Sequence, residues 1–260
     1  MARTRRTANG EDDAQTPNRM AAPPVPPSPR EVSRRLARAI PTPECELDHA
    51  NAWQLLIATI LSAQSTDRMV NEVTKALFER HPTPSSLARA SQEEIEGLVK
   101  RTGFFRNKAK AIRESSRRIV QDHGGEVPRD PEVLVSLPGV ARKTANVVLG
   151  TAFGIANGVT VDTHAGRVSR RLGLTGHDDP VKVERDLMAA FPREQWIDLG
   201  HRFVRHGQYL CHARKPSCAR CPLAELCPSA AEPPAGRWTQ RADLEAEIVR
   251  RRDLTAARGG

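Results

Sequence analysis

The sequence predicts an all-α fold, and three observations carry that expectation. Apolar residues recur at three- and four-residue spacing, as in Trp53, Leu56, Ile57, Ile60 and Leu61 and again in Val70, Val73, Ala76 and Leu77, the period of a helix with a buried face. Strict two-residue alternation, the mark of a half-buried strand, is scarce. Punctuation at Pro82, Pro84, Gly103, Gly124-Gly125, Pro138-Gly139, Gly173, Gly176 and Pro192 cuts the middle of the chain into about ten short helices with almost no sheet. No internal repeat is visible, which argues against a solenoid.

Taken in chain order, residues 1–30 hold six prolines and a single large aliphatic residue, Val25; too little apolar surface is present to offset ordering, and a disordered tail is expected. The helix containing Trp53 is expected to end at Ala63, with Gln64 in a loop and Thr66 capping the next helix. Asp130-Pro131-Glu132 is a helix start, with an acidic N-cap, proline at the first helical position and an acid in the first turn. That helix lasts about two turns before Leu137-Pro138-Gly139-Val140-Ala141 breaks it. Arg142-Lys143-Thr144-Ala145-Asn146-Val147-Val148-Leu149 resumes with apolar residues at helical spacing. Asp162 reads as the N-cap of a helix running to Leu172. The last 32 residues, from Ser229, open with Ala, Pro and Gly and then offer a charged helix candidate, Leu244 to Arg252, in a loosely attached tail.

A chain of 260 residues with 38% hydrophobic content can fill a core without disulfide staples. Its longest strongly apolar stretch, Leu55 to Leu61, falls far short of the roughly 20 residues of a membrane span. The first thirty residues lack leucine, isoleucine and aromatics, so no secretory signal is expected and the cytoplasm is the expected compartment. The net charge is +9, and residues 31–228 keep 29 basic against 23 acidic groups, so most of the excess sits on the folded part and suits a polyanionic partner. Only seven of the 40 basic residues are lysines, which makes each lysine more informative.

Cys211, Cys218, Cys221 and Cys227 form C-x6-C-x2-C-x5-C within 17 residues, which in a cytoplasmic protein reads as a metal site. Four thiolates suit a tetrahedral zinc or a 4Fe-4S cluster, and spacing alone does not choose. Cys45 stands apart and reads as a small buried apolar residue. Between the first two cysteines, the loop carrying Arg214 and Lys215 is either a phosphate contact or merely solvated.

The turn from Leu137 to Ala141 joins two short helices, and the backbone N–H groups at the start of the second attract an anion. Such a motif holds DNA by its backbone without regard to sequence, through Leu137, Gly139, Val140 and Ala141. Together, Leu137 to Leu149, the later Val161-Asp162-Thr163-His164, the earlier Leu61-Ser62-Ala63-Gln64-Ser65-Thr66-Asp67 and the four-cysteine pattern resemble the endonuclease III family of base-excision DNA repair enzymes, over about residues 31 to 228. The resemblance implies a helix-hairpin-helix DNA glycosylase with abasic-site lyase activity. It implies a six-helix domain over 45–156, with its hairpin at about 131–149, and an iron-sulfur domain over 31–44 plus 157–228, with the DNA cleft between them. It also implies a 4Fe-4S cluster on the four cysteines, Lys143 as nucleophile and Asp162 as its partner, Gln64 as the side chain filling the gap left by an expelled nucleotide, and Phe104 as an apolar wedge. For Phe104 the alternative is core packing, because Phe105 beside it is equally suited to either place.

The chemistry suits those residue types. A neutral amine attacking sugar C1′ gives a Schiff base whose neighbouring acidified proton permits β-elimination of the 3′ phosphate. A lysine starts near pKa ~10.4, and a seat by a helix N-terminus in a partly dry cleft lowers it. Asp162 would stabilise positive charge at the sugar and help move protons, or serve as N-cap, or both. The expected activity is removal of oxidised pyrimidines from double-stranded DNA carrying damaged bases or abasic sites, by one copy of the chain near the bacterial nucleoid, with no membrane involved. Two alternatives stand beside it: an adenine-mismatch glycosylase, which would lack the catalytic lysine, and a non-catalytic iron-sulfur damage sensor. Two departures from the family pattern matter. Ala141 stands where a second hairpin glycine is usual, at a cost of roughly 1 kcal/mol if that position needs positive φ. Asn157-Gly158 shifts the loop leading to Asp162.

Overall fold

The computed structural model describes residues 27–231; the expected tails, apart from their inner edges, and the helix candidate Leu244 to Arg252 lie outside the described residues. The described residues form eleven α-helices and five short 3-10 turns, with no strand. In order the helices are α1 (Pro29–Ala39), α2 (Ala52–Leu61), α3 (Asp67–Arg80), α4 (Pro84–Arg89), α5 (Gln92–Val99), α6 (Phe105–His123), α7 (Pro131–Ser136), α8 (Arg142–Phe153), α9 (Thr163–Arg171), α10 (Pro180–Ala190) and α11 (Trp196–Tyr209). No helix among the described residues is long and apolar enough to cross a membrane.

The helix starts follow from local chemistry. Thr66 accepts from the Met69 N–H at 3.3 Å. Asp130 accepts from Glu132 at 2.7 Å and from Val133 at 3.2 Å, with Pro131 opening α7. Asp162 accepts from Ala165 at 2.7 Å, satisfying donors that the first turn leaves orphaned. α2 stops two residues before the expected Ala63, because Ser62 closes it and the chain turns at once toward Gln64.

Two cores form. The first is built from residues 47–149 around α2, whose Trp53, Leu55, Leu56, Ile57, Ala58, Thr59, Ile60 and Leu61 are all buried; a central helix of this kind is apolar around most of its circumference. On α3 the expected Val70, Val73 and Leu77 face inward, whereas Ala76 is exposed and Thr74 takes the inner position. The second core joins Val32 and Leu36 of α1 to Val159, Val168, Leu187, Leu199, Phe203 and Leu223. Where the chain crosses between them after α1, Arg202 of α11 donates to the Ile40 and Pro41 carbonyls. α8 packs its Ala145, Val147, Val148 and Leu149 into the first core and α9 its Ala165 and Val168 into the second, and their N-termini carry the candidate catalytic residues.

Candidate active site and metal centre

The hairpin is built by Gly139, whose φ is +78°. A side chain there would be doubly unwelcome, because a Cβ would lie 2.9 Å from Ala111 Cβ and 3.1 Å from Ile60 Cγ2. Ala141, by contrast, sits at φ −88° and ψ 168°. This is extended backbone that any residue adopts, so the missing second glycine carries no conformational cost. Leu137 and Val140 are 3% and 6% exposed, and the Val140 N–H closes the turn onto the Leu137 carbonyl. What the hairpin can offer an anion is thus the backbone of Gly139 and the first turn of α8, whose N-cap provides no side-chain acceptor.

Lys143 is the second residue of α8 and exposed. Asp162 is part-buried; one of its carboxylate oxygens caps α9, and the other has no hydrogen bond among the described residues. Within electrostatic reach of both is a group that the sequence did not single out. Asp67, the first residue of α3, is half-buried and feels both Lys143 and Asp162 electrostatically. Burial first, then Glu46, pushes the Asp67 carboxyl up, against a 3.4 Å hydrogen bond from Gln208 Nε2 and the nearby Lys143 charge. A carboxyl whose pKa burial raises, within electrostatic reach of an amine, is a candidate for proton transfer. Thr66-Asp67 read from sequence only as a helix start, and no local pattern distinguishes a capping acid from one facing a cleft.

Gln64 and Phe104 are both exposed, Phe104 by 63%. They are also the two non-glycine residues with positive φ among the described residues, at 55° and 46°, a strain that persists only where surrounding structure imposes it. Phe105 packs against the first core, which settles which of the two phenylalanines faces out.

A buried network supports the start of α8. Glu184 of α10, 5% exposed, accepts from Arg142 Nε at 2.7 Å and from Asn146 Nδ2 at 2.7 Å, and Asn157 Nδ2 donates to Asn146 Oδ1 at 2.9 Å. Gly158 packs so closely that a Cβ would fall 2.0 Å from Glu184 Oε1. The Asn157-Gly158 departure thus belongs to a fitted joint between Lys143's helix and the loop leading to Asp162.

Cys211, Cys218, Cys221 and Cys227 line one cavity with Val168, Leu172, Leu210 and Leu223. Four soft thiols around one apolar space are a donor set that fits an iron-sulfur cluster. Burial raises the thiols of Cys218 and Cys227, and pushes Cys221 to about 11, so loading the site releases protons. His206 beside them, its Nε2 3.5 Å from Cys221 Sγ, is pushed by burial down to about 4 and stays neutral. α9 grips this segment from inside. Arg171, 2% exposed, donates to Cys211 Sγ at 3.2 Å and to the His212 and Ala213 carbonyls at 2.7 Å each, while Arg167 holds the Cys211 and Gly207 carbonyls at 2.9 Å. Arg214 and Lys215 are exposed on the loop so held. One nine-residue helix thus carries Asp162 at its head and the metal segment at its tail.

A glycine-turned hairpin ahead of an uncapped helix, with a lysine in its first turn, is the device of a DNA repair protein. The chain belongs to the HhH-GPD superfamily of base excision DNA repair proteins, whose model matches residues 57–193. Within it, the chain belongs to the endonuclease III family: the model of the iron-sulfur binding domain of endonuclease III matches residues 211–227. It is 54% identical over 200 residues to endonuclease III of Synechocystis, covering 77% of this chain and 91% of the relative. It is 40% identical over 197 residues to that of Escherichia coli, covering 76% and 93%. A non-covalent endonuclease III-DNA complex superposes with a TM-score of 0.74 at 45% identity, covering 77% and 94%. A thermostable thymine-DNA glycosylase shares the fold, with a TM-score of 0.69 at 21% identity over 78% and 96%. The protein is a base excision repair DNA glycosylase with abasic-site lyase activity, it binds DNA, and it carries a 4Fe-4S cluster.

Proposed function

We propose that the enzyme excises oxidised pyrimidines as a monomer, with Lys143 as nucleophile. The observation that carries this reading is that Lys143 and Asp162, at the N-termini of α8 and α9, both act electrostatically on Asp67, at the N-terminus of α3. The Lys143 amine attacks C1′, the C1′–base bond breaks, and the base leaves with the electron pair. Asp162, fixed by its capping bond, stabilises the positive charge that develops at the sugar. The nitrogen then loses a proton as the C1′–O4′ bond opens, giving an iminium that acidifies C2′; the C2′ proton passes to a carboxylate, for which the raised pKa of Asp67 supports that residue, and the C3′–O bond breaks with the phosphate leaving. Water releases Lys143 from the unsaturated sugar.

Gln64 and Phe104 enter the duplex where the nucleotide leaves, the hairpin from Leu137 to Ala141 takes the backbone, and Arg214 and Lys215 take a second phosphate. Cys211, Cys218, Cys221 and Cys227 ligate the cluster, which when bound supplies four iron-thiolate bonds that fix the basic loop. The presence of Lys143 disfavours the adenine-mismatch and sensor alternatives. Duplexes carrying thymine glycol, an A·G mismatch or 3-methyladenine separate the readings: excision of thymine glycol alone is expected, and release of mismatched adenine without it would overturn the pyrimidine assignment.

A further inference from the structure

Seven lysines occur in the chain, and one of them is buried where no catalytic step needs it. Lys108, in the second turn of α6, is 7% exposed, and among the described residues no carboxylate pairs with it. Its Nζ instead donates to two backbone carbonyls, Leu61 O at 2.8 Å and Thr102 O at 2.7 Å. Leu61 is the last residue of α2, and Thr102 the last of the 3-10 turn Lys100–Thr102. Both carbonyls therefore sit at helix C-termini, where a positive charge is favoured and where the backbone lacks partners of its own. Burial pushes the ammonium down to about 8, and these two acceptors are what favour its charged form.

The two anchored residues share one more property. Leu61 stands three residues before Gln64 and Thr102 two before Phe104, the two non-glycine residues held at positive φ. A buried cation without a counter-ion is costly, as are two strained loop tips, and all three costs meet at one point. We propose that Lys108 is a positioning residue that ties the two loops to each other, presenting Gln64 and Phe104 to the duplex at one fixed separation. Removing the ammonium leaves both carbonyls buried and unpartnered, and the tips relax independently. Nucleotide expulsion needs both tips at once, so it suffers. An abasic nucleotide, with no base to unstack, leaves the helix more cheaply and depends on them less.

This inference rests on the reading that Gln64 and Phe104 enter the DNA, and the test separates the two. Gln64→Ala and Phe104→Ala are assayed on a thymine glycol duplex; if neither lowers excision, that reading fails whatever Lys108 does. If they do, Lys108→Met is expected to lower excision kcat/KM roughly tenfold to hundredfold, the scale of a small misplacement of positioning groups. Cleavage of a pre-formed abasic duplex, iron-sulfur absorbance and binding of undamaged duplex should stay near wild type. The fluorescence of 2-aminopurine opposite the lesion, which reports unstacking, should fail to rise, and adding Gln64→Ala to Lys108→Met should cost little more than either alone. Wild-type excision by Lys108→Met, or equal loss of excision and abasic cleavage, overturns the proposal. Should Lys108→Met not fold, Lys108→Gln, neutral and too short to hold both carbonyls, takes its place with the same expected split; undiminished excision there overturns the proposal equally.

Discussion

Replacing Gly139 by alanine tests whether the hairpin is shaped by conformation alone or also by what it packs on. At φ +78° an alanine pays the left-handed penalty of roughly 1–2 kcal/mol. Its Cβ would also lie 2.9 Å from Ala111 Cβ and 3.1 Å from Ile60 Cγ2. Both atoms belong to packed helices that yield little, adding roughly 1–3 kcal/mol of overpacking. Gly154, at the end of α8, isolates the first term: its φ is +66°, and a Cβ there meets nothing within 4 Å. Thermal unfolding followed by circular dichroism at one scan rate should rank wild type, Gly154→Ala and Gly139→Ala in that order. The gap between the two variants should be about 1–3 kcal/mol, or about 2–12 °C in a chain of this size. On the proposal that the hairpin takes the DNA backbone without reading bases, Gly139→Ala should also weaken damaged and undamaged duplex alike in fluorescence anisotropy, while Gly154→Ala leaves affinity unchanged. Equal destabilisation by the two variants would refute the packing argument, and weakening confined to damaged duplex would refute the hairpin's role.

Asp67 gives a prediction in pH. Its folded pKa is raised, so it favours the folded state below the unfolded carboxylate pKa, and that contribution is lost as pH rises through the folded value. Asp67→Asn should therefore raise Tm at neutral pH, slow strand cleavage of abasic DNA, and abolish the acid limb expected of the wild-type rate above the ordinary carboxylate range. An unchanged pH profile would remove Asp67 from proton transfer. Cys218→Ser should lose the visible iron-sulfur absorbance and weaken DNA binding through the freed Arg214–Lys215 loop; retained absorbance would contradict its assignment as a ligand. Glu184→Ala strands Asn146 and Arg142 and should cost about 2–4 kcal/mol, reduced from a fully buried pair because Arg142 is half-exposed. Gly158→Ala, which presses on the same carboxylate, should be non-additive with it in denaturant unfolding, and simple additivity would deny the joint.

Much of this site is local chemistry and so is written locally. An aspartate before proline starts α7, a threonine starts α3, and a four-cysteine spacing marks the metal segment, because each depends on neighbours a few residues away. What escaped the sequence is charge turned inward. Arg167 and Arg171 count as surface positives in any tally, yet they hold the cysteine segment across some forty residues of sequence. Lys108 looks like one more basic residue on an amphipathic helix until α2 and the Lys100–Thr102 turn present their carbonyl ends to it. Glu184 and Asp67 are likewise ordinary helix acids until a second helix buries them. The choice between Phe104 and Phe105 needed the left-handed turn at Phe104, which no neighbouring glycine or asparagine rule predicts for an aromatic residue.

The proposed chemistry turns on a covalent bond between Lys143 and the sugar. Incubating the cluster-loaded enzyme with thymine glycol and abasic duplexes in the presence of borohydride tests it directly, with Lys143→Ala alongside. Wild type should give a stable protein-DNA adduct on both duplexes and Lys143→Ala none, although that variant should still bind DNA and retain its iron-sulfur absorbance. An adduct that survives in Lys143→Ala, or none from a wild-type enzyme that binds both duplexes, would contradict that chemistry.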